Sequence, residues 1–101
     1  KIQDGTEFVL EYDGVCHYAV AEYDQQDNEC YMLLLDEKHQ PYLNSKGEKI
    51  GYYKTSSQAG IDAINVYRKK NNIEAKIETL NGPAYWRTKE GVTIKSLIDS
   101  L

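Results

Sequence analysis

A chain of 101 residues with 41% hydrophobic and 28% charged side chains has room for one small hydrophobic core and one domain. The longest apolar run, Tyr31-Met32-Leu33-Leu34-Leu35, is a strand's length and far short of a membrane span. There is no secretory signal pattern and no low-complexity stretch, so a cytoplasmic chain without membrane contact is expected. The chain opens on Lys1, and the expectation is one domain over 1–101, open to being a piece of a longer parent polypeptide.

Thr6–Tyr12 alternates Phe8, Leu10 and Tyr12 against Glu7, Val9 and Glu11, the pattern of a half-buried strand. Asp13-Gly14 is the strongest short hairpin signal a sequence offers, because both residues tolerate positive φ. Val15–Tyr23 is a second strand, the polar stretch Asp24–Asn28 a turn, and Glu29–Leu35 a third strand. That third strand ends apolar on both faces, which predicts a central or covered position. The polar stretch 36–49 contains Pro41, a short strand piece at Tyr42-Leu43 and the turn Asn44-Ser45-Lys46-Gly47. Ile50–Tyr53 reads as a fourth short strand. In this register Cys16 faces a residue near Asp36 rather than Cys30, so no direct cross-strand disulfide is expected. Both cysteines are expected as half-buried thiols in a reducing compartment.

At Thr55 the period changes. Thr55-x-x-Gln58 fits a capping box, with Ser56 as a rival cap. Apolar positions at Ala59, Ala63, Ile64 and Tyr67 follow at helical spacing, and Arg68-Lys69-Lys70 sits where a helix dipole favours cations. Asn71-Asn72 is a left-handed stop. The spacing predicts a helix over about 57–70. Ile73–Thr79 alternates Ile73, Ala75 and Ile77 against Glu74, Lys76 and Glu78, as a strand would, with a helical extension as the alternative. The Asn81-Gly82-Pro83 turn follows, then a short strand at Tyr85–Thr88 and a turn at Lys89-Glu90-Gly91. Of the aromatic pair after the proline, Trp86 is the expected core anchor; Tyr85 and Arg87 are the expected outward pair. Thr93 caps a final amphipathic helix over about 93–101. Together these elements predict an α+β fold: an antiparallel meander of about four to six strands with two helices packed on it.

The chemistry-bearing residues are sparse. Asp62 with Glu74-x-Lys76 echoes the carboxylate-carboxylate-lysine metal set of some nucleases, but Asp62 falls on the helix. His17 and His39 stand 22 residues apart without ligand spacing, as a strand-face residue and a loop residue. There is no CxxC, no Cys/His metal spacing and no Gly-rich phosphate loop, so neither a metal nor a cofactor is expected and the chain is read as non-enzymatic.

Charge is unevenly divided. Residues 1–37 hold ten acids and one base; residues 38–101 hold eleven bases and six acids. A net charge of −4 therefore conceals a basic second half, where Lys54, Arg68, Lys69, Lys70, Arg87, Lys89 and Lys95 interleave with aromatics. Phosphate contact needs a local cationic face, not a cationic total.

The second half also has a familiar order of parts. A strand ending in Tyr52-Tyr53 leads to Thr55-Ser56-Ser57-Gln58-Ala59-Gly60 and a helix. Asn81-Gly82-Pro83-Ala84-Tyr85-Trp86, a Gly turn and a Leu/Ile helix follow. Over about residues 50–101 this order resembles the restriction-enzyme adenine methylase-associated (RAMA) domains. The link Asn71–Leu80 is longer than in that family, and the acidic N-terminal meander is not DNA-like. The resemblance implies a DNA-binding accessory module of a bacterial restriction–modification system, with methylated adenine as a possible target. Ser56 and Ser57 match the helix start, and Asn81, Gly82 and Trp86 the turn. The DNA contacts expected are Lys54, Ser56, Ser57, Lys69, Lys70, Tyr85, Arg87 and Lys89. The competing expectation is a protein-interaction or assembly module that uses the acidic, Tyr-rich sheet, through its edge.

Overall fold

The structure, a computed structural model, describes residues 3–24, 29–53, 57–74, 76–79 and 86–92. They form an α+β unit of strands β1 (Glu7–Tyr12), β2 (Val15–Asp24), β3 (Glu29–Leu35) and β4 (Gly51–Tyr53), followed by helix α1 (Ser57–Lys70). The sheet is antiparallel in the order β1-β2-β3-β4. Tyr12 pairs with Val15 across a two-residue loop in which Asp13 has φ 52° and Gly14 φ 75°. Two positive φ values make the type I′ turn, whose twist matches that of the strands it joins.

Register puts Phe8, Leu10, Ala19, Ala21, Met32 and Leu34 on one face of the sheet, where all six are buried. α1 lies against β2 and β3 on this face and adds Ala63 and Ile64 to the same core. Alanines at 59 and 63 let the helix backbone come close to the sheet, and both are buried. Val9 exchanges backbone hydrogen bonds of 2.8 and 2.9 Å with Arg87 on the free side of β1. Opposite residues of such a pair face the same way, so Arg87 joins Val9 on the outer face and Trp86 turns inward. Trp86 is 5% exposed and belongs to the core cluster. The strand expected at Tyr85–Thr88 thus narrows to one bridge at Arg87; Tyr85 lies outside the described residues.

Leu33 and Leu35 are buried on the outer face, so β3 is covered on both sides. On the same outer face lies His39, whose ring is 4.4 Å from that of Tyr18 and whose Nδ1 is 2.8 Å from Glu7 Oε1. His39 stands in one of three turns built alike. In each, an Asp, Asn or Thr side chain (Asp36, Asn44, Thr88) accepts the amide four residues on (Gln40, Glu48, Val92). The residue before that amide has positive φ: His39 61°, Gly47 79°, Gly91 88°.

α1 ends at a Schellman motif. Asn72 has φ 57°, Ile73 N–H bonds Arg68 C=O at 2.8 Å, and Asn72 N–H bonds Lys69 C=O at 3.3 Å. The segment after it is not the strand its alternation predicts. Asn65 of α1 occupies the backbone of Ile77 instead: Oδ1 accepts from Ile77 N–H at 2.8 Å and Nδ2 donates to Ile77 C=O at 2.9 Å. A side-chain amide thus satisfies both groups that a neighbouring strand would otherwise take.

Cys16 corrects a second expectation. It is exposed, not half-buried, because it sits opposite Glu11 on the outer face near the strand end. Cys30 pairs in register with Tyr23, away from Cys16. The caps at Thr55 and Ser56 and the helix expected at 93–101 lie outside the described residues. Among those described, no helix is long and apolar enough to cross a membrane.

Candidate functional site

The site follows from where the sheet stops. Leu34 N–H bonds Ile50 C=O at 3.0 Å, and the ladder continues in the same register through Met32 with Tyr52. In an antiparallel ladder, hydrogen-bonded and non-hydrogen-bonded pairs alternate. Leu33 with Gly51 is therefore a non-hydrogen-bonded pair, and the N–H and C=O of Gly51 point away from β3. Among the described residues no strand pairs with this side of β4.

A groove of about 780 Å³ opens there. One wall is α1, through Asp62, Asn65, Val66 and Lys69, spaced i, i+3, i+4 and i+7 on one stripe of the helix. The opposite wall is Lys49, Ile50 and Gly51, with Tyr31 and Asn44; the segment after α1 supplies Ile73, Glu74 and Lys76. The Asn65 clamp on Ile77 sets the course of that last segment. Gly51 is required by Tyr31, whose ring crosses it: a Cβ at 51 would lie 2.6 Å from Tyr31 Cε1 and 2.7 Å from Met32 C=O. Ile73 is 45% exposed, an apolar side chain presented to solvent at the groove.

The two charged halves of the chain fold onto each other. Arg68 reaches Asp13 at 3.3 Å, Lys70 reaches Glu37 at 3.2 Å, and Arg87 stands 3.9 Å from Glu11. The Lys70 ammonium also lies 5.6 Å from the centre of the Tyr42 ring. The bond to Glu37 raises the pKa of Lys70. Glu37 is held below its ordinary range by its own backbone amide and by that lysine. Asp36 is lowered too, chiefly by the Gln40 amide. By contrast, Lys49, Lys69 and Lys76 line the groove without an ion pair among the described residues.

The expected DNA contacts are dispersed. Lys69 lines the β4 groove, and Lys70 is committed to Glu37. Arg87 lies at the β1 edge, the opposite side of the sheet, and Lys89 is exposed in the turn after it. Ser57 opens α1, whereas Lys54, Ser56 and Tyr85 lie outside the described residues. Asp62, Glu74 and Lys76 do line one groove, yet among the described residues no three His, Cys, Asp or Glu side chains group as metal ligands.

His17 occupies a second, smaller cavity of about 180 Å³ with Tyr12, Asp13, Tyr67 and Arg68. It is 6% exposed, and burial lowers its pKa to about 4, so it is a neutral imidazole at pH 7. Its ring meets Tyr67 edge-on at 5.3 Å. It is a core histidine packed between β2 and α1.

Tyr31, Lys49, Gly51 and Asn65 are groove residues that the sequence reading passed over. Gly51 had a usable signal, since a lone glycine inside a strand pattern marks close approach of another group. Asn65 had none, because its partner is a backbone twelve residues on. Comparison with protein-family models, curated protein sequences and solved structures gives no match.

Proposed function

We propose that this chain is a protein-interaction module that takes an extended segment of a partner as an added strand on β4, in the groove against α1. The observation that carries the reading is the outward N–H and C=O of Gly51 opening into a groove of about 780 Å³. Backbone pairing supplies affinity in strand addition, and pockets for alternate side chains supply specificity. The dimensions agree. The α1 stripe Asp62–Lys69 spans about 10 Å at 1.5 Å per residue, and the three residues of β4 span about 10 Å at 3.3 Å each. Tyr31, Val66 and Ile73 offer apolar contact beside the backbone groups. With Cys16 exposed, the reading suits a reducing, cytoplasmic setting in which the thiol stays free.

The alternative is duplex DNA binding by Lys54, Ser56, Ser57, Lys69, Lys70, Tyr85, Arg87 and Lys89. Support for it would be a contiguous cationic face around Arg87. Glu11 beside Arg87 and Glu37 on Lys70 weigh against that face.

Selection of a random dodecapeptide library on the intact chain tests the proposal, followed by amide NMR with a synthetic copy of the selected peptide. The expected result is movement of the Gly51 and Lys69 amides and slowed hydrogen exchange at Gly51. No selected peptide, or shifts confined to the outer face around Val9 and Tyr18, would overturn it.

A further inference from the structure

We infer that the occupant of the β4 groove is an acidic extended segment of another protein, its carboxylates met by Lys49, Lys69 and Lys76; the inference rests on the strand-addition reading. Three cations of the second half are matched to acids of the first half: Arg68, which also lines the groove, to Asp13, Lys70 to Glu37 and Arg87 to Glu11. Lys49, Lys69 and Lys76 are not matched in this way among the described residues, and all three line one groove.

The three lysines come from three separate elements: the approach to β4, the last turn of α1 and the segment after it. Asp62 and Glu74 share the groove, so lysine outnumbers carboxylate three to two. An added strand points alternate side chains to the same side, with neighbours on that side about 6.6 Å apart. The row of side chains that faces α1 therefore meets Lys69 and Val66 together, so a carboxylate in that row finds a lysine with apolar surface beside it. A nucleic acid would satisfy the lysines but leave the outward donor and acceptor of Gly51 without a strand partner. Backbone geometry therefore favours the peptide.

Four probes test this on the intact chain. Three are synthetic decapeptides alternating valine with glutamate, glutamine or lysine. The fourth is a 20-base-pair duplex, with and without methylated adenine. Dissociation constants are measured by fluorescence anisotropy at low and moderate salt, alongside Gly51 amide exchange. The glutamate peptide is expected to bind about tenfold tighter than the glutamine peptide, with salt narrowing the gap. Lys49→Gln, Lys69→Gln and Lys76→Gln should each weaken it by roughly two- to fivefold, and Lys89→Gln should leave it unchanged.

Equal binding of glutamate and glutamine peptides, both slowing Gly51 exchange, would overturn the acidic preference and leave strand addition standing. Binding of neither would overturn both. Duplex DNA that displaces the glutamate peptide, with loss on Lys69→Gln, would overturn the choice of a peptide in favour of nucleic acid.

Discussion

Gly51→Ala tests the close packing on which the β4 edge depends. The added Cβ would stand 2.6 Å and 2.7 Å from Cε1 and Cζ of Tyr31, and 2.7 Å from the carbonyl oxygen of Met32, where ordinary contact is 3.4–4 Å. Tyr31 can swing its ring, at the cost of the apolar contact it makes in the groove. The Met32 oxygen belongs to the neighbouring strand and moves only if β3 and β4 separate. Overpacking of this kind costs roughly 1–3 kcal/mol. Against it stands about 0.5–1 kcal/mol from the smaller entropy of the unfolded alanine chain. The clash wins because one of its two partners is backbone, leaving a net loss of about 1–2 kcal/mol. For a domain of this size that lowers Tm by roughly 4–16 °C. Thermal and urea unfolding, followed by fluorescence of the single Trp86, measures it directly. Tyr31→Ala in the Gly51→Ala background should recover only the ring's share. A Gly51→Ala chain as stable as the parent would refute the argument, because it would mean that β3 and β4 do not approach as closely as described.

Two further outcomes follow from the same geometry. Asn65→Ala removes both bonds to Ile77, at about 0.5–1.5 kcal/mol each, so a total loss of roughly 1–3 kcal/mol is expected, with faster exchange at the Ile77 amide. Asn65→Asp keeps an acceptor for the Ile77 N–H but sets an oxygen against its carbonyl, so it should remain destabilised; full stability in either variant would show that the clamp is dispensable. His17, lowered to about 4 from an ordinary 6.5, binds its proton more weakly in the folded chain than in the unfolded one. Stability should therefore rise with pH between about 4 and 6.5, and be lost as pH falls through that window, with a slope of at most one proton, about 1.4 kcal/mol per pH unit. Asp36 and Glu37, held below their ordinary values, add their own loss at more acid pH. His17→Phe should flatten the upper part of the curve and leave the acid part; an unchanged slope would mean that His17 is not buried as a neutral ring.

What was legible in the sequence is what local chemistry decides. Asp13-Gly14, the alternation of Phe8, Leu10 and Tyr12, the helical stripe Ala59-Ala63-Ile64-Tyr67 and the stop at Asn72 each state their conformation within a few residues. Trp86 as a core anchor was legible for the same reason, since a large ring after a rigid turn needs a partner surface. The misreadings are at positions where a distant group decides. Ile73–Thr79 has the alternation of a strand, but strand pairing needs a free neighbour, and Asn65 takes the Ile77 backbone first. The dispersal of the basic residues was hidden likewise: composition placed acids first and bases second, but only the fold could show which acids meet which bases. The groove could not be foreseen because it lies where a sheet edge, a helix stripe and a clamped segment leave a gap, and no single stretch of sequence encodes a gap.

That charge division now has a structural sense. A chain with ten acids in its first 37 residues and eleven bases in the remainder has a long-range attraction that draws the helix end onto the meander. The contacts made are pairs with at least one solvent-screened partner, so they orient the two halves more than they stabilise them. Once Arg68 and Lys70 are drawn to Asp13 and Glu37, the last turn of α1 is held at the β1–β2 hairpin and the 36–40 turn. Lys69, between them in sequence, lies about 100° from each around the helix axis and lines the groove beside Arg68. It joins Lys49 and Lys76 there, none of the three in an ion pair among the described residues. His39 serves the same frame from the other face. It takes the left-handed position that Gly47 and Gly91 fill in the sister turns, at a cost of roughly 1 kcal/mol or more for a side chain at positive φ. In return it stacks on Tyr18 and reaches Glu7 across the sheet. A residue kept there against its backbone preference ties the 36–40 turn to β1. Because Glu37 in that turn holds Lys70, the orientation of α1 beside the β4 edge rests in part on a histidine on the far side of the sheet.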